Sequence, residues 1–322
     1  MSLSIAIQMD AVESIQIYGD TTFALGLEAQ KRGYNLWYYT PDRLSLNEGC
    51  ISARGQKITF YDQIGAHFET GDIETRSLQD FDVVLMRQDP PFDMAYITAT
   101  HLLEMLSPRT MVVNNPAEVR NAPEKLLVTL YPDLMPATVI SRDSDVISAF
   151  RQKYQDIIIK PLFGNGGAGV FRLKPGDQNL NSLLEMFFCS SREPLMVQAY
   201  LPAVRDGDKR VILVDGKPVG AVNRIPNDDE VRSNFHAGGI AAKTKLTERD
   251  LQICSTIGPE LRRRGLMFVG IDIIGNYMTE INVTSPTGIR EIERLSGINI
   301  ASLTWDAIEQ KHSDHIGNGM RH

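Results

Sequence analysis

Glu280 and Asn282 stand two apart in TEINVTSP, residues 279–286, within a β-branched run that reads as a strand. Side chains at i and i+2 of a strand share a face. A carboxylate and an amide therefore project together just ahead of a Ser-Pro-Thr-Gly turn. A third oxygen-bearing side chain, Asp272, lies earlier in the hairpin FVGIDIIGNYMTEINV, and register decides whether it joins them. A two-residue Gly275-Asn276 turn pairs Ile274 with Tyr277 and sends Asp272 to the opposite face. A three-residue loop sets Asp272 across from Glu280. Neighbouring carboxylates repel unless a cation lies between them. Hard oxygen ligands suit magnesium, which completes its shell with phosphate oxygens and water. Without the third group, the same residues are solvated charges on an open sheet.

Other segments carry residues suited to anionic ligands. FGNGGAG, residues 163–169, has four glycines in seven positions, and its backbone N–H groups can approach anionic oxygens closely. It is not the P-loop pattern, and a flexible hairpin tip also accounts for it. Lys160 ends the apolar run IIIKP just upstream, where a buried strand delivers it toward phosphate. Lys125 in NAPEKLL is either a second such lysine or an exposed lysine of a helix's first turn. Arg87, Arg210, Arg224, Arg232 and Arg290 lie at strand ends or near loops, and the guanidinium fork matches carboxylate and phosphate geometry. Residues 226–242, PNDDEVRSNFHAGGIAA, lack hydrophobic periodicity. A loop that long inside a compact domain is functional or disordered, and the stretch Ile225–Ala242 is expected to act as a lid over a reactive intermediate. His236 within it reads as solvated.

These groups need a frame. The 322 residues suffice for two or three domains, and 43% hydrophobic with 23% charged residues fits an ordinary globular chain. A net charge of −7 excludes a general nucleic-acid binder, and no apolar run approaches a membrane span. The start MSLSIAIQMD reads as a first strand with no targeting signal. Cys50, Cys189 and Cys254 lack metal-ligand spacing and are expected as reduced, buried structural thiols of a cytoplasmic protein. The polar end, with His312, His315 and His322, reads as a frayed tail.

Strands and helices alternate up to about residue 121, which predicts a doubly wound parallel sheet. CISARGQKITF reads there as a hairpin. The first strand runs into QMDAVESI, so the dinucleotide loop G-x-G-x-x-G is missing. That counts against a nicotinamide oxidoreductase. A smaller α+β region follows, and beyond residue 205 the strands turn antiparallel, with Asp215-Gly216 as a hairpin turn.

In order and spacing, MRQDPPFD, NAPEKL, IIIKPLFGNGGAGVFR, VQAYLPAVRDGDKRV, GLMFVGIDIIG and TEINVTSPTGIREIE resemble the motifs of bacterial glutathione synthetases. The resemblance covers roughly residues 3 to 310. It implies an ATP-grasp fold of the α/β class in three parts: an N-terminal doubly wound substrate domain (1–121), a small α+β lid domain (122–202) and a C-terminal antiparallel catalytic domain (203–314), with a polar tail (315–322). By motif, it implies that Lys125 and Lys160 contact phosphates, that Gly164, Asn165, Gly166 and Gly167 belong to the loop over them, and that Gln198, Ala199, Tyr200 and Leu201 read adenine. Asp208 falls on the nucleotide side. Asp272, Glu280 and Asn282 match the magnesium ligands, with manganese as an alternative ion. Arg210, Arg224 and Arg232 match arginines around the transferred phosphoryl group. Arg87, Asp89, Asn234, Ser285, Pro286 and Thr287 belong to the peptide-substrate side.

The implied reaction joins γ-glutamylcysteine to glycine at the expense of ATP, through an acyl phosphate, in a homo-oligomer expected to be a tetramer. No nucleophilic side chain is required, and no Ser-His-Asp or Cys-His arrangement stands out. Two departures from the family pattern are Gln88, where relatives carry lysine in M-R-K-D-P-P, and HAGGIAA in the lid loop. The first is expected to weaken one substrate contact. The alternatives are another ATP-grasp carboxylate–amine ligase or a non-catalytic nucleotide-binding regulator.

Overall fold

A computed structural model of the chain describes residues 2–164, 166–227 and 238–319. The first unit is built on β1 (Ser4–Gln8), α1 (Thr21–Lys31), β2 (Asn35–Tyr39), β3 (Leu44–Asn47), β4 (Cys50–Phe60), β5 (Phe68–Ser77), β6 (Val83–Met86), α2 (Met94–Glu104), β7 (Met111–Val113) and α3 (Pro116–Arg120). Its described sheet runs β3-β4-β2-β1-β6-β7, with β5 added to β4. The four strands β2, β1, β6 and β7 are mutually parallel, and the other three join antiparallel. Ile5, Ala6, Ile7, Val83 and Val84 are fully buried because helices cover both faces of the parallel part.

CISARGQKITF is one eleven-residue strand, not the hairpin its sequence predicts. The turn falls earlier, at Glu48-Gly49, where both residues take positive φ. Gly55 continues the strand because any Cβ there would collide with the Tyr38 carbonyl, so the glycine marks a close approach of strands and not a turn.

The second unit follows α4 (Glu124–Leu127) and comprises β8 (Thr138–Ser141), α5 (Ser144–Tyr154), β9 (Ile157–Pro161), β10 (Phe171–Leu173), α6 (Leu180–Ser190) and β11 (Leu195–Ala199). Its antiparallel sheet has the order β10-β9-β11-β8. The third unit contains β12 (Asp208–Val214), β13 (Lys217–Ile225), β14 (Ile240–Lys243), α7 (Glu248–Arg263), β15 (Phe268–Ile274), β16 (Tyr277–Asn282), α8 (Ile289–Ser296) and α9 (Ile300–Gly319). Its antiparallel sheet has the order β14-β13-β12-β15-β16.

Asp215 and Gly216 turn the β12–β13 hairpin with positive φ at both, as the Asp-Gly pair predicts. Thr247 caps α7 in a reciprocal box with Asp250. Gly216 and Gly258 meet backbone to backbone, which joins this turn to the middle of α7. An ordinary helical Gly→Ala change gains up to about 1 kcal/mol. At Gly258 the new methyl would enter the Gly216 carbonyl, so Gly258→Ala is expected to lose about 1–3 kcal/mol in urea unfolding. The sign alone checks the contact.

The helix α9 runs through Gly319, past the point where a tail is expected. It is anchored on the first unit. Trp305 is fully buried and its Nε1 donates to the Leu25 carbonyl at 2.8 Å, while Arg32 reaches Asp306 and Glu309. His312 is buried on the same helix, its Nε2 3.9 Å from Asp82. The cysteines depart from expectation: Cys254 is buried, but Cys50 and Cys189 are exposed free thiols, one at the tight turn into β4 and one on the outer side of α6. No described helix is long and apolar enough to cross a membrane.

Candidate active site

The register question is answered by an irregularity. The β15–β16 turn is the two-residue form, with Ile274 opposite Tyr277 and Ile273 opposite Met278. A bulge between Asp272 and Ile273 then slips the ladder by one residue, so Asp272 faces Glu280 and Gly270 faces Asn282. The bulge does what a three-residue loop would have done. It places Asp272, Glu280 and Asn282 together.

From this point a row of alternating charge crosses the sheet. Asp208 on β12 pairs with Arg224 on β13, and Arg210 on β12 faces Asp272 on β15. Arg210 grips Asp272 through Nε at 2.5 Å and Nη2 at 3.1 Å. Arg224 reaches Asp208 at 2.5 Å and Asp272 at 3.0 Å. Gly270 lies on the same face without a side chain. A Cβ there would come within 2.8 Å of Pro286 and 3.2 Å of Arg210, so the glycine lets the arginine lie flat under the Ser-Pro-Thr-Gly turn.

The second sheet closes the row from above. Ile158 and Lys160 alternate on β9 toward the cleft, and Lys160 Nζ stands 3.3 Å from Glu280. Lys125, on α4, stands 3.8 Å from the same carboxylate and donates to the Gly164 carbonyl. Both lysines are buried, at 5% and 6% exposure, which removes the exposed-lysine reading of Lys125. Burial pushes the Asp272 carboxyl up, but Arg210 and Arg224 outweigh it and hold it well below its ordinary range. Glu280 is likewise held down by Lys125 and Lys160 against burial. Burial lowers Lys160, only partly offset by Glu280. A second anion near Lys160 would favour its charged form, which suits a ligand bearing phosphate.

The cleft between these sheets and the first unit encloses about 740 Å³. All the sequence-predicted site residues that are described line it: Arg87, Asp89, Lys125, Lys160, Gly164, Gly166, Gly167, Gln198, Ala199, Tyr200, Leu201, Asp208, Arg210, Arg224, Asp272, Glu280, Asn282, Ser285, Pro286 and Thr287. Asn165, Arg232, Asn234 and His236 lie outside the described residues, as does most of the expected lid. Arg87 is buried at the first unit's side, its Nε on Thr22 at 3.1 Å and Nη2 on the Pro286 carbonyl at 3.2 Å. Gln88 is buried, does not line the cleft, and accepts from Gln8. Arg290 is occupied by Asp62 and lies over Phe23.

Sequence reasoning missed four acidic residues on this cleft, Asp10, Asp20, Glu124 and Glu291. Glu124 is half-buried beside Lys125 and accepts from Thr284 at 2.6 Å, and burial raises its carboxyl. Its position next to a motif lysine was the available signal. Asp20 caps α1 through Phe23 N, which masked its second role as cleft wall.

Residues 3–120 match the model of the prokaryotic glutathione synthetase N-terminal domain, and residues 124–297 match that of the prokaryotic glutathione synthetase ATP-grasp domain. The chain belongs to the prokaryotic glutathione synthetase family. Among relatives, the glutathione synthetase of Brucella melitensis biotype 1 is 58% identical over 311 residues, covering 97% of this chain and all of the relative. That of Pseudomonas putida is 43% identical over 313 residues, covering 97% and 99%. Solved structures similar in fold include the ATP-grasp ligase PsnB with a minimal precursor (TM-score 0.64, 18% identity, 97% and 100% covered) and the D-cycloserine synthetase DcsG (TM-score 0.63, 13% identity, 96% and 99% covered). Glutathione synthetase family membership makes this chain an ATP-dependent ligase with the ATP-grasp fold, as the motifs imply.

Proposed function

We propose that the protein is a glutathione synthetase, which ligates γ-glutamylcysteine to glycine with conversion of ATP to ADP and phosphate. The observation that carries this reading is the meeting of Lys125 and Lys160 over the Asp272–Glu280 pair, in a chain that matches its relatives from end to end. The lysines and Arg210, Arg224 and Arg232 spread the charge of the transferring phosphoryl group, and such catalysis is mainly positioning and electrostatics. A cysteinyl carboxylate oxygen attacks the γ-phosphorus, the bond to the bridging oxygen breaks, and ADP leaves. The amine of glycine then attacks the acyl carbon, loses a proton, and expels phosphate as the C–O bond breaks.

The donor set fits a hard divalent cation. Asp272, Glu280 and Asn282 offer oxygens on one face, and Asn282 donates its Nδ2 to Gly270 and Asp272, which keeps Oδ1 outside those bonds. No group of three or more His, Cys, Asp or Glu placed to hold a metal ion occurs among the described residues. Two carboxylates and an amide suit an ion that arrives with phosphate oxygens and water. Magnesium, or manganese, would be held by these three residues and would neutralise phosphate charge. Lys125, Lys160, Gly164, Asn165, Gly166, Gly167, Gln198, Ala199, Tyr200, Leu201 and Asp208 would bind the nucleotide. Arg87, Asp89, Asn234, Ser285, Pro286 and Thr287 would bind the peptide.

The same reading divides the chain into 1–121, 122–202 and 203–314 with a short tail, and makes it a cytoplasmic homo-tetramer. Light scattering checks the tetramer. The acceptor provides a sharper test. Glycine is expected to exceed L-alanine in kcat/KM by about 10–200-fold, the range that one methyl group supports. Phosphate release assayed with ATP, γ-glutamylcysteine and each amine decides it. Equal values would favour a broader ATP-grasp ligase.

A further inference from the structure

The first unit's end of the cleft holds a buried acceptor that no described residue satisfies. Glu291, in the first turn of α8, lines the cleft at only 9% exposure. Its Oε1 accepts from Arg294 at 3.1 Å, while its Oε2 is buried with no hydrogen-bond partner among the described residues. Buried carboxylate oxygens are nearly always satisfied, so an unpartnered one on a residue that lines a cleft points to a donor that arrives with a ligand. The nearby cations are committed elsewhere. Arg290 is held by Asp62 at 2.8 Å, and the other arm of Arg294 donates to the Tyr18 carbonyl at 2.8 Å.

The backbone makes room for this carboxylate. A Cβ on Gly19 would lie 3.2 Å from Glu291 Oε1, closer than ordinary packing permits, so the loop after β1 approaches it through a glycine. Asp20 follows directly and is also cleft wall. Asp10, Asp20 and Glu291 therefore place three carboxylates on the end of the cleft served by α8 and the β1 loop. Burial raises the carboxyls of Asp20 and Glu291, a cost that a bound cation would offset.

On the reading that γ-glutamylcysteine is the substrate, its cysteinyl carboxylate must reach the phosphoryl-transfer row. Its other end carries an α-ammonium and an α-carboxylate. We propose that Glu291 Oε2 receives the α-ammonium of the γ-glutamyl residue, which makes Glu291 a specificity-determining residue for an amino-bearing acyl chain. A carboxylate fixed at nine-tenths burial rewards a ligand that brings an ammonium and penalises one that leaves it unpaired.

The test compares γ-glutamylcysteine with glutarylcysteine, which has the same chain without the α-amino group. Wild-type protein should prefer γ-glutamylcysteine by about 100-fold or more in kcat/KM, because a site built for a donor rejects the analogue lacking it. In Glu291→Gln that ratio should shrink to about 5 or less, with the loss for γ-glutamylcysteine carried mainly by KM. Nucleotide affinity measured on both proteins reports whether the variant stays folded. A ratio unchanged in a folded variant, with both substrates losing equally, means a purely structural carboxylate and overturns the proposal. A wild-type ratio near one overturns it without any variant. If wild-type protein does not turn over γ-glutamylcysteine at all, the substrate reading itself fails and takes this inference with it. Turnover without discrimination defeats the inference alone.

Discussion

Glu280→Gln and Asn282→Ala are expected to lower kcat by about 100- to 1,000-fold while the protein remains folded, the scale on which single electrostatic contributors act in phosphoryl and acyl transfer. Glu280 faces Asp272 across the β15–β16 ladder and meets Lys160 at 3.3 Å and Lys125 at 3.8 Å. Neutralising it removes one of the two carboxylates available to a cation. Lys125 also donates to the Gly164 carbonyl, and a glutamine at 280 keeps an amide oxygen for Lys160 to donate to, so unfolding temperature should change little. A magnesium titration of steady-state rates checks the assignment. The variants should need more magnesium to reach a lower plateau. Wild-type turnover with unchanged magnesium dependence in both would remove these residues from the metal site.

Asp272→Ala is expected to cost stability as well as activity. Its carboxylate sits between Arg210 and Arg224, which are 7% and 3% exposed. Deleting it leaves two buried guanidinium groups undercompensated, and breaking such an arrangement costs about 3–5 kcal/mol. Arg224 retains Asp208 and Arg210 retains the Thr287 carbonyl, which favours the lower end. Urea unfolding of wild type and variant gives the value. The pH dependence has a definite sign. The folded-state pKa of Asp272 is depressed, so its contribution is complete above the unfolded carboxyl range and fades as pH falls through the folded value. The stability gap should therefore be constant near neutrality and close only in strong acid. A variant as stable as wild type at pH 7 would contradict the ion-pair account.

Much of the site was legible because it rests on short periodicities. Glu280 and Asn282 announce a shared face by spacing alone, and Lys160 ends an apolar strand that could only deliver it inward. The bulge at Asp272 was not legible. Both turn lengths fit GNY locally, and the choice depends on packing along the whole hairpin. The Cys50–Phe60 segment shows the opposite failure. Gly55 mimics a turn signal, but its meaning is the Tyr38 carbonyl beside it, a tertiary fact. The end of helix α9 reads as a tail because polar residues dominate it, whereas the helix continues through Gly319 from a part held by Trp305 and Ile308, both fully buried. Glu291 belongs to the same class. An acidic residue in a helix's first turn has an ordinary explanation in the helix dipole, and only the geometry exposes its unfilled oxygen.

The central claim is that a peptide carboxylate is activated by phosphorylation in the cleft lined by Lys125, Lys160, Arg210 and Arg224. Isotope transfer tests it most directly. γ-Glutamylcysteine labelled with ¹⁸O in both oxygens of the cysteinyl carboxylate is incubated with ATP and glycine, and the released phosphate and the tripeptide are analysed by mass spectrometry. The account predicts one labelled oxygen in each phosphate released and the other retained in the new amide. Unlabelled phosphate formed alongside tripeptide, or phosphate formed with no tripeptide, would contradict it.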